Sequence, residues 1–210
     1  MINDITARIL ENFEAKDRAR EKGLLVSRSV VRTCGTAIRH IHRGDFDNAA
    51  QMIEDARKSL ELMDSQLLDH PDIYYGGFVE HAQQEFVECA VLHSLLRHEK
   101  DTVTIPSPEE LGVGYAAYLN GLGDVIGELR RHIIDLIRQE KPEYGEALLE
   151  FMDDIYSNLI MFDYPEGITR GLRRKSDVAR SLIERTRGDL TNAIQQQKLE
   201  QSMRKFESGL

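Results

Sequence analysis

The sequence predicts an all-α protein. Apolar residues recur every three or four positions over long stretches, five prolines all fall between those stretches, and no sustained two-residue alternation indicates a strand. Because proline is tolerated at helix ends but not in helix interiors, the prolines mark boundaries. They are Pro71, Pro106, Pro108, Pro142 and Pro165. Helices of about 20 to 40 residues with short connections predict an elongated antiparallel bundle of about six or seven helices.

Six helices are expected in order. The first runs from about Asn3 to Arg43 and ends at Gly44, and the second has Asp45 as its N-cap and ends near Leu68. The other four are expected at about 73–99, 108–139, 142–163 and 169–195. The fourth follows a loop at 101–108.

The start of the fourth predicted helix has a capping signature. Ser107 is followed by Pro108 and, three positions on, by Glu110. This order gives an N-cap, a proline at the first helical position and the acid of a capping box. We expect residues 1–195 to form one domain, and 196–210 to be a frayed tail because the apolar stripe is lost there.

Composition excludes several classes of protein. The 210 residues are 30% charged and 41% hydrophobic, with a mean hydropathy of -0.42, which is typical of a water-soluble globular chain. No apolar run approaches the ~20 residues that a membrane-spanning helix needs, and the first residues do not resemble an export signal. Cys34 and Cys89 lack metal or disulfide spacing, so we expect a reducing, cytoplasmic setting.

Positive charge is concentrated near the N-terminus. The net charge is -9, which disfavours indiscriminate binding to nucleic acid. Residues 18–43 nevertheless hold seven Arg or Lys and one acid, an excess of six positive charges, so the rest of the chain carries -15. The distribution of charge therefore matters more than its sum.

Two pairs of acids have helical spacing. Glu85 and Glu88 are three residues apart, and Asp124 and Glu128 are four apart, so each pair shares one face of its helix. Like charges at these spacings repel, and a divalent cation would offset the repulsion. Carboxylate oxygens are ligands that suit Mg2+ or Mn2+, and such a site can hydrolyse a phosphodiester.

Other interpretations of these acids remain open. Glu85 and Glu88 could face solvent, and Glu128 could pair with Arg131. A di-iron bundle is disfavoured because it needs Glu-x-x-His pairs, and none of the seven histidines has a Glu three residues before it.

Glycines surround the second acidic pair. Gly121, Gly123 and Gly127 each cost about 1 kcal/mol in a helix relative to alanine, which predicts that another backbone approaches closely there. A kink or helix break near Gly121 is the alternative. The pattern does not follow a strand, so it is not interpreted as a dinucleotide-binding loop.

Four arginines of the first helix form what we call the arginine ridge. Within about 60° of one another on a helical projection lie Arg28, Arg32, Arg39 and Arg43. Such a ridge could follow a phosphate backbone without reading bases, or it could be a solvated face that forms salt bridges or contacts another subunit. A second basic cluster opens the sixth predicted helix and favours a phosphate ligand there, with Arg170, Arg173, Arg174 and Lys175.

Two segments are distinctive: QEFVECA at 84–90 and YLNGLGDVIGEL at 118–129. They resemble the translin superfamily, most closely translin-associated factor X, which has comparable QEYVEA and GVxDLTGEL stretches. The resemblance covers most of the chain in helix order. It implies that Glu85, Glu88, Asp124 and Glu128 are the ligands and catalytic residues of a metal-dependent endoribonuclease site.

The short termini look more like those of the single-gene archaeal members, which implies a closed homo-oligomer, expected to be an octamer. The sequence thus predicts an endoribonuclease that uses Mg2+ or Mn2+ on single-stranded RNA or RNA ends. RNA contacts are expected from the ridge and from Arg173, Arg174 and Lys175. A non-catalytic oligomer that binds single-stranded RNA or DNA is the competing function, and a purely structural bundle is the third.

Overall fold

The structure, a computed structural model, describes residues 1–97 and 104–208. All regular elements in these ranges are helical, which confirms the all-α prediction. They are α1 (Ile2–His42), α2 (Phe46–Leu67), α3 (Pro71–Tyr74), α4 (Phe78–Arg97), α5 (Pro108–Leu111), α6 (Tyr115–Arg138), a 3-10 turn (Pro142–Tyr144), α7 (Gly145–Leu159), α8 (Glu166–Thr169) and α9 (Leu172–Ser208). No helix of the described residues is both long enough and apolar enough to cross a membrane.

The first of two compact units comprises Met1–Gly121 and is built on α1, α2 and α4, which pack against one another. The chain reverses between α1 and α2 at Gly44, whose φ of 75° is left-handed, so these two helices are antiparallel neighbours. Their shared core consists of side chains three or four positions apart, among them Val30, Cys34, Ile41, Leu60, Met63, Phe86, Val87 and Leu92.

The second unit comprises Leu122–Leu210 and contains most of α6 together with α7, α8 and α9. Apolar stripes on three of these helices form its core, with Ile126, Leu129, Ile133, Met152, Leu159, Leu172, Ile183 and Leu190 buried. Arg130 ties α6 to α9 by donating to Thr186 and Asp189, at 2.9 Å each. Arg187 ties α9 to α7 through the Asp153 carboxylate at 2.7 Å.

Glycine interrupts two helices that were predicted to be continuous. The predicted helix at 73–99 is divided into α3 and α4, because Gly77 adopts a left-handed φ of 95°. The predicted helix at 108–139 is divided into α5 and α6 at Gly112, with φ 68°. Single left-handed residues are hard to predict from periodicity, which continues across them. The predicted end near Glu99 and the first part of the 101–108 loop lie outside the described residues.

The last predicted helix begins differently. Arg170 has a φ of 50° and ends the short helix α8, and Gly171 has a φ of 94°, so α9 begins only at Leu172. Arg170 is therefore not in the first turn of the long helix, where the sequence placed it. At the other end α9 stays helical to Ser208, and every described residue after Gln197 is exposed. The single domain at 1–195 stays a prediction.

The predicted capping box at α5 is present. The Glu110 backbone N–H donates to Ser107 Oγ at 3.2 Å, and the Ser107 N–H donates to a Glu110 carboxylate oxygen at 2.7 Å. Asp45 occupies the N-cap position of α2, but its carboxylate accepts hydrogen bonds from the side chains of Asn48 and His40. These bonds lower the pKa of Asp45, with the Asn48 contribution the largest.

Gly121 allows α6 to approach α4 closely. A Cβ built there would lie 2.7 Å from the Val87 Cβ and 2.8 Å from the Gln84 backbone oxygen. This agrees with the close approach that the glycines predicted, and α6 continues without a break through Gly121 and Gly123. At Gly127, by contrast, no heavy atom of the described residues outside the local helix backbone lies within 4 Å of such a Cβ.

Gly121→Ala should therefore destabilise the protein, because the crowded Gln84 oxygen belongs to the backbone and cannot rotate away. We expect a loss of about 2 kcal/mol and a decrease in melting temperature of about 5 °C. Gly127→Ala is the matched control in the same helix and should raise the melting temperature, since alanine is favoured by about 1 kcal/mol. Thermal unfolding by circular dichroism tests both, and a Gly121→Ala protein as stable as wild type would contradict the close approach.

Candidate functional site

The first pair of predicted metal ligands lies on α4, a helix that is apolar on most of its faces. Phe86, Val87 and Cys89 are fully buried, and the two acids next to them in the sequence therefore lie close to the core of the first unit. Glu88 is only 9% exposed as a residue, and the Glu85 side chain is 23% exposed. His81 Nδ1 lies 4.0 Å from a Glu85 oxygen, one turn earlier. Both carboxylates are thus largely withdrawn from water.

Cys89 follows this pair and contacts Cys34 across the α1 to α4 interface. Both thiols are buried and free. The hydrogen bond with Cys34 raises the pKa of Cys89 well above its usual range, and burial and the negative charges of Glu88 and Glu85 add to this. Because only a thiolate is a strong nucleophile or metal ligand, Cys89 packs here as a neutral apolar group.

The second pair lies on α6 within the second unit. The Asp124 side chain is 30% exposed, and its carboxylate accepts a hydrogen bond from the Lys175 ammonium. The Glu128 side chain is 23% exposed and lies 3.5 Å from the Arg131 guanidinium. The pairing of Glu128 with Arg131 considered from the sequence is therefore present. The Glu128 carboxylate that makes this pair is mostly withdrawn from solvent.

Lys175 makes a different contact in the structure from the one that the sequence predicts. It was predicted to contact RNA, and in the structure its ammonium contacts Asp124. Gly123 explains how it reaches: a Cβ there would lie 3.4 Å from the Lys175 Cβ and Cδ, so the lysine stem crosses α6 where a side chain is missing. In the sequence, Gly123 directly before Asp124 indicates that the helix surface has no side chain beside this acid. Helical periodicity does not show which distant residue packs there.

Gln83 is a supporting residue that the sequence did not single out. It precedes the acidic segment of α4, and only 6% of it is exposed. Its amide nitrogen donates to the Tyr74 hydroxyl at 3.2 Å, and its amide oxygen accepts from the Gly114 N–H at 3.2 Å. Gln83 thereby connects α3, α4 and the segment that leads into α6.

Each acidic pair by itself has the chemistry that suits a hard divalent cation. The donors are carboxylate oxygens one helical turn apart, and Mg2+ is commonly held by one or two carboxylates while it keeps several waters. In the part of the chain that the structure describes, no group of three or more His, Cys, Asp or Glu side chains could hold a metal ion. The structure places Glu85 and Glu88 one turn apart on α4, and Asp124 and Glu128 one turn apart on α6.

The arginine ridge points outward from the first unit. All four of its side chains are exposed. Among the residues described, none forms an ion pair with Arg28, Arg32 or Arg43, and Arg39 donates to the Thr36 hydroxyl at 2.7 Å. Salt bridges to acidic residues within 1–97 and 104–208 therefore do not account for this face.

The residues of the second basic cluster differ in their exposure and contacts. Arg173 and Arg174 are exposed in the first turn of α9, whereas Lys175 is half-buried against Asp124. Cationic side chains near a helix N-terminus oppose the helix dipole, so exposed arginines there are better placed when an anion lies between them. Arg173 and Arg174 lie at the start of the long helix, and their contact with RNA stays a prediction.

Known proteins are similar to this chain in sequence and in structure. The Translin family model matches residues 20–186. MJ0175, an uncharacterized protein of Methanocaldococcus jannaschii, is 34% identical over 197 residues, which are 93% of this chain and 85% of that protein.

Three solved structures are also similar. The AfC3PO complex with duplex RNA and the AfC3PO crystal structure are each 33% identical, with TM-scores of 0.76 and 0.74. The matches cover 92% of this chain and 96% and 97% of those chains. The apo-NeC3PO structure has a TM-score of 0.78 at 22% identity, covers 90% of this chain and 96% of its own, and shows the fold alone.

Proposed function

Because this chain belongs to the translin family, we propose that it is a Mg2+-dependent endoribonuclease that cleaves single-stranded RNA as a subunit of a closed homo-oligomer. Its proposed metal ligands and catalytic residues are Glu85, Glu88, Asp124 and Glu128. The competing function is a non-catalytic oligomer that binds single-stranded RNA or DNA.

One observation carries the proposal: four carboxylates at helical spacing are held mostly out of water. The most exposed of them, Asp124, has 30% of its side chain accessible, whereas surface acids such as Asp47 are almost fully exposed, at 97%. Carboxylates are rarely kept from solvent without a compensating positive charge. In a partly dry setting their attraction for a divalent cation is stronger than in bulk water.

Bound Mg2+ would lower the pKa of water and neutralise charge that develops on a phosphodiester under attack. The protein's own residues supply the rest. The carboxylates are fixed on two helices, which limits their movement, and the exposed guanidinium groups of the ridge bind phosphate oxygens with paired N–H donors. Binding along several turns of α1 holds the strand in place during the reaction. Arg173 and Arg174 are proposed as further phosphate contacts, on α9.

The nucleic acid in the related AfC3PO complex is duplex RNA, so the strand preference of this chain needs a direct comparison. A ridge that contacts only phosphates and sugars accepts either form. We propose single-stranded RNA as the substrate, and cleavage of single-stranded and duplex RNA of the same sequence should be measured side by side.

Glu128→Gln should abolish cleavage and retain binding. The change removes one negative charge while keeping the shape of the side chain, and we expect the rate of cleavage of labelled single-stranded RNA in Mg2+ to fall at least about 100-fold. RNA affinity, measured in EDTA by fluorescence anisotropy, should stay within about twofold of wild type. Glu150→Gln, at an exposed acid of α7, is the matched control and should cleave like wild type.

No cleavage by the wild-type protein in either Mg2+ or Mn2+, with RNA binding intact, would overturn the enzyme and support the non-catalytic binder. One contact favours that competing function. The Lys175 ammonium already supplies a positive charge at Asp124, so this carboxylate is compensated within the chain.

Arg32→Ala should weaken RNA binding through the loss of a phosphate contact. For single strands, the slope of log affinity against log salt concentration should become shallower by about 0.7. Arg20→Ala is the control on the same helix, since its guanidinium lies about 110° away from the centre of the ridge and pairs with Glu21 at 3.0 Å. An unchanged slope for Arg32→Ala would show that RNA does not follow the ridge.

The first turns of α1 support self-association. An apolar stripe of exposed side chains lies within about 80° of the helix surface, consisting of Ile2, Ile5, Ile9 and Phe13. A contiguous exposed apolar surface of this kind is typical of a protein interface. We propose that a second copy of the chain covers it in the homo-oligomer, for which an octamer is the expected stoichiometry.

Replacing Ile9 and Phe13 together by glutamate should dissociate the assembly, because two charges would be buried in an apolar contact. Light scattering should give wild type a mass several times the 24.0 kDa of the chain, about eightfold for an octamer, and the double variant a smaller mass. Arg8→Glu adds a nearby negative charge outside the stripe and should leave the mass unchanged. A wild-type mass of one chain would contradict the assembly.

A further inference from the structure

Gly35 lies in the interior of α1, where nothing in the packing of the described residues requires glycine. A Cβ built there would meet no heavy atom of the described residues within 4 Å outside the local helix backbone. Gly23 of the same helix is different, because a Cβ there would lie 2.9 Å from the Phe78 ring and 3.2 Å from Leu67. Glycine is less favourable than alanine in a helix interior. Packing among the described residues therefore does not account for glycine at position 35.

The arginine ridge surrounds this position. On a helical projection Gly35 lies within about 40° of Arg39 and within about 60° of Arg32. Along the helix axis it is about 5 Å beyond Arg32 and about 6 Å before Arg39. The ridge thus contains one place where the helix backbone is bare, between two exposed guanidinium groups.

A hydrogen bond fixes positive charge beside the bare place. Thr36 Oγ1 donates to the Arg32 backbone oxygen at 2.9 Å and accepts from Arg39 Nη2 at 2.7 Å. Because Thr36 is three residues before Arg39, this bond holds the arginine side chain against the helix surface, on the side of Arg39 that faces away from Gly35 on the helical projection. The guanidinium is thereby ordered within the ridge before an anion binds.

We infer that Gly35 is the point where the RNA sugar-phosphate backbone comes closest to α1, with Arg32 and Arg39 binding phosphates on either side. This inference rests on the proposed RNA-binding function. A polyanion fits the site better than a second copy of this chain, because a symmetric contact between copies would place the same arginines against one another. A bulky side chain at position 35 would hold the strand away from both guanidinium groups.

A series of substitutions separates stability from binding. In the full chain, Gly35→Ala should raise the melting temperature by roughly 2 to 4 °C while it weakens affinity for labelled single-stranded RNA about threefold. Gly35→Leu should weaken affinity at least about tenfold, since the loss follows the volume added. Affinity is measured by anisotropy in EDTA, so that no cleavage intervenes. Gly188→Leu is the control, an exposed glycine of α9 that also has no such neighbour within 4 Å among the described residues, and it should not change affinity.

The outcomes distinguish this inference from the function on which it rests. If Gly35→Leu binds RNA like wild type while Arg32→Ala binds weakly, the inference is wrong and the ridge still binds RNA. If neither variant changes affinity, the proposed role of the ridge is wrong. If Gly35→Leu lowers the mass measured by light scattering, the contact at Gly35 is made by a second copy of the chain, and the inference is overturned.

Discussion

Withdrawing carboxylates from water costs free energy, and this cost constrains the surroundings of the acids on α4 and α6. Glu88 is nearly buried on α4, and Asp124 and Glu128 are less than one-third exposed on α6. Each must be matched by positive charge or hydrogen bonds to remain ionised. Lys175 and Arg131 provide part of that charge within the second unit. The proposed cation would add further positive charge. Desolvation of the acids costs free energy, and the same desolvation strengthens their proposed attraction for the cation.

The distribution of charge gives the protein two contrasting surfaces. The chain is acidic overall, yet α1 exposes the arginine ridge, and no described residue forms an ion pair with Arg28, Arg32 or Arg43. Their exposure leaves them accessible to phosphate, whereas the acids proposed for catalysis are held largely away from bulk water. An acidic surface elsewhere repels nucleic acid, which is why the RNA contacts are proposed only on α1 and at the exposed arginines of α9.

Glycines that look alike in the sequence have different roles in the fold. Gly121 allows two helices to touch, and Gly123 makes room for the stem of Lys175. Gly35 has no neighbour of this kind within the described chain. The cost of glycine in a helix predicted the close approach around Gly121, but it assigned the same reason to Gly127, where a built Cβ has no neighbour within 4 Å among the described residues outside the local helix backbone. The neighbour of a glycine is set by helices distant in sequence, so local pattern does not identify it.

The sequence by itself determined the all-α fold, most helix boundaries, the capping box at Ser107 and the shared faces of the two acidic pairs, because helical period and end signals are local properties. Tertiary structure decided the breaks at Gly77 and Gly112, where a single left-handed residue interrupts a periodic pattern. It also decided that Lys175 contacts Asp124, that Glu88 is nearly buried and that Gln83 connects three segments. These depend on which distant helices pack together, and such packing follows from side-chain shape and volume in three dimensions.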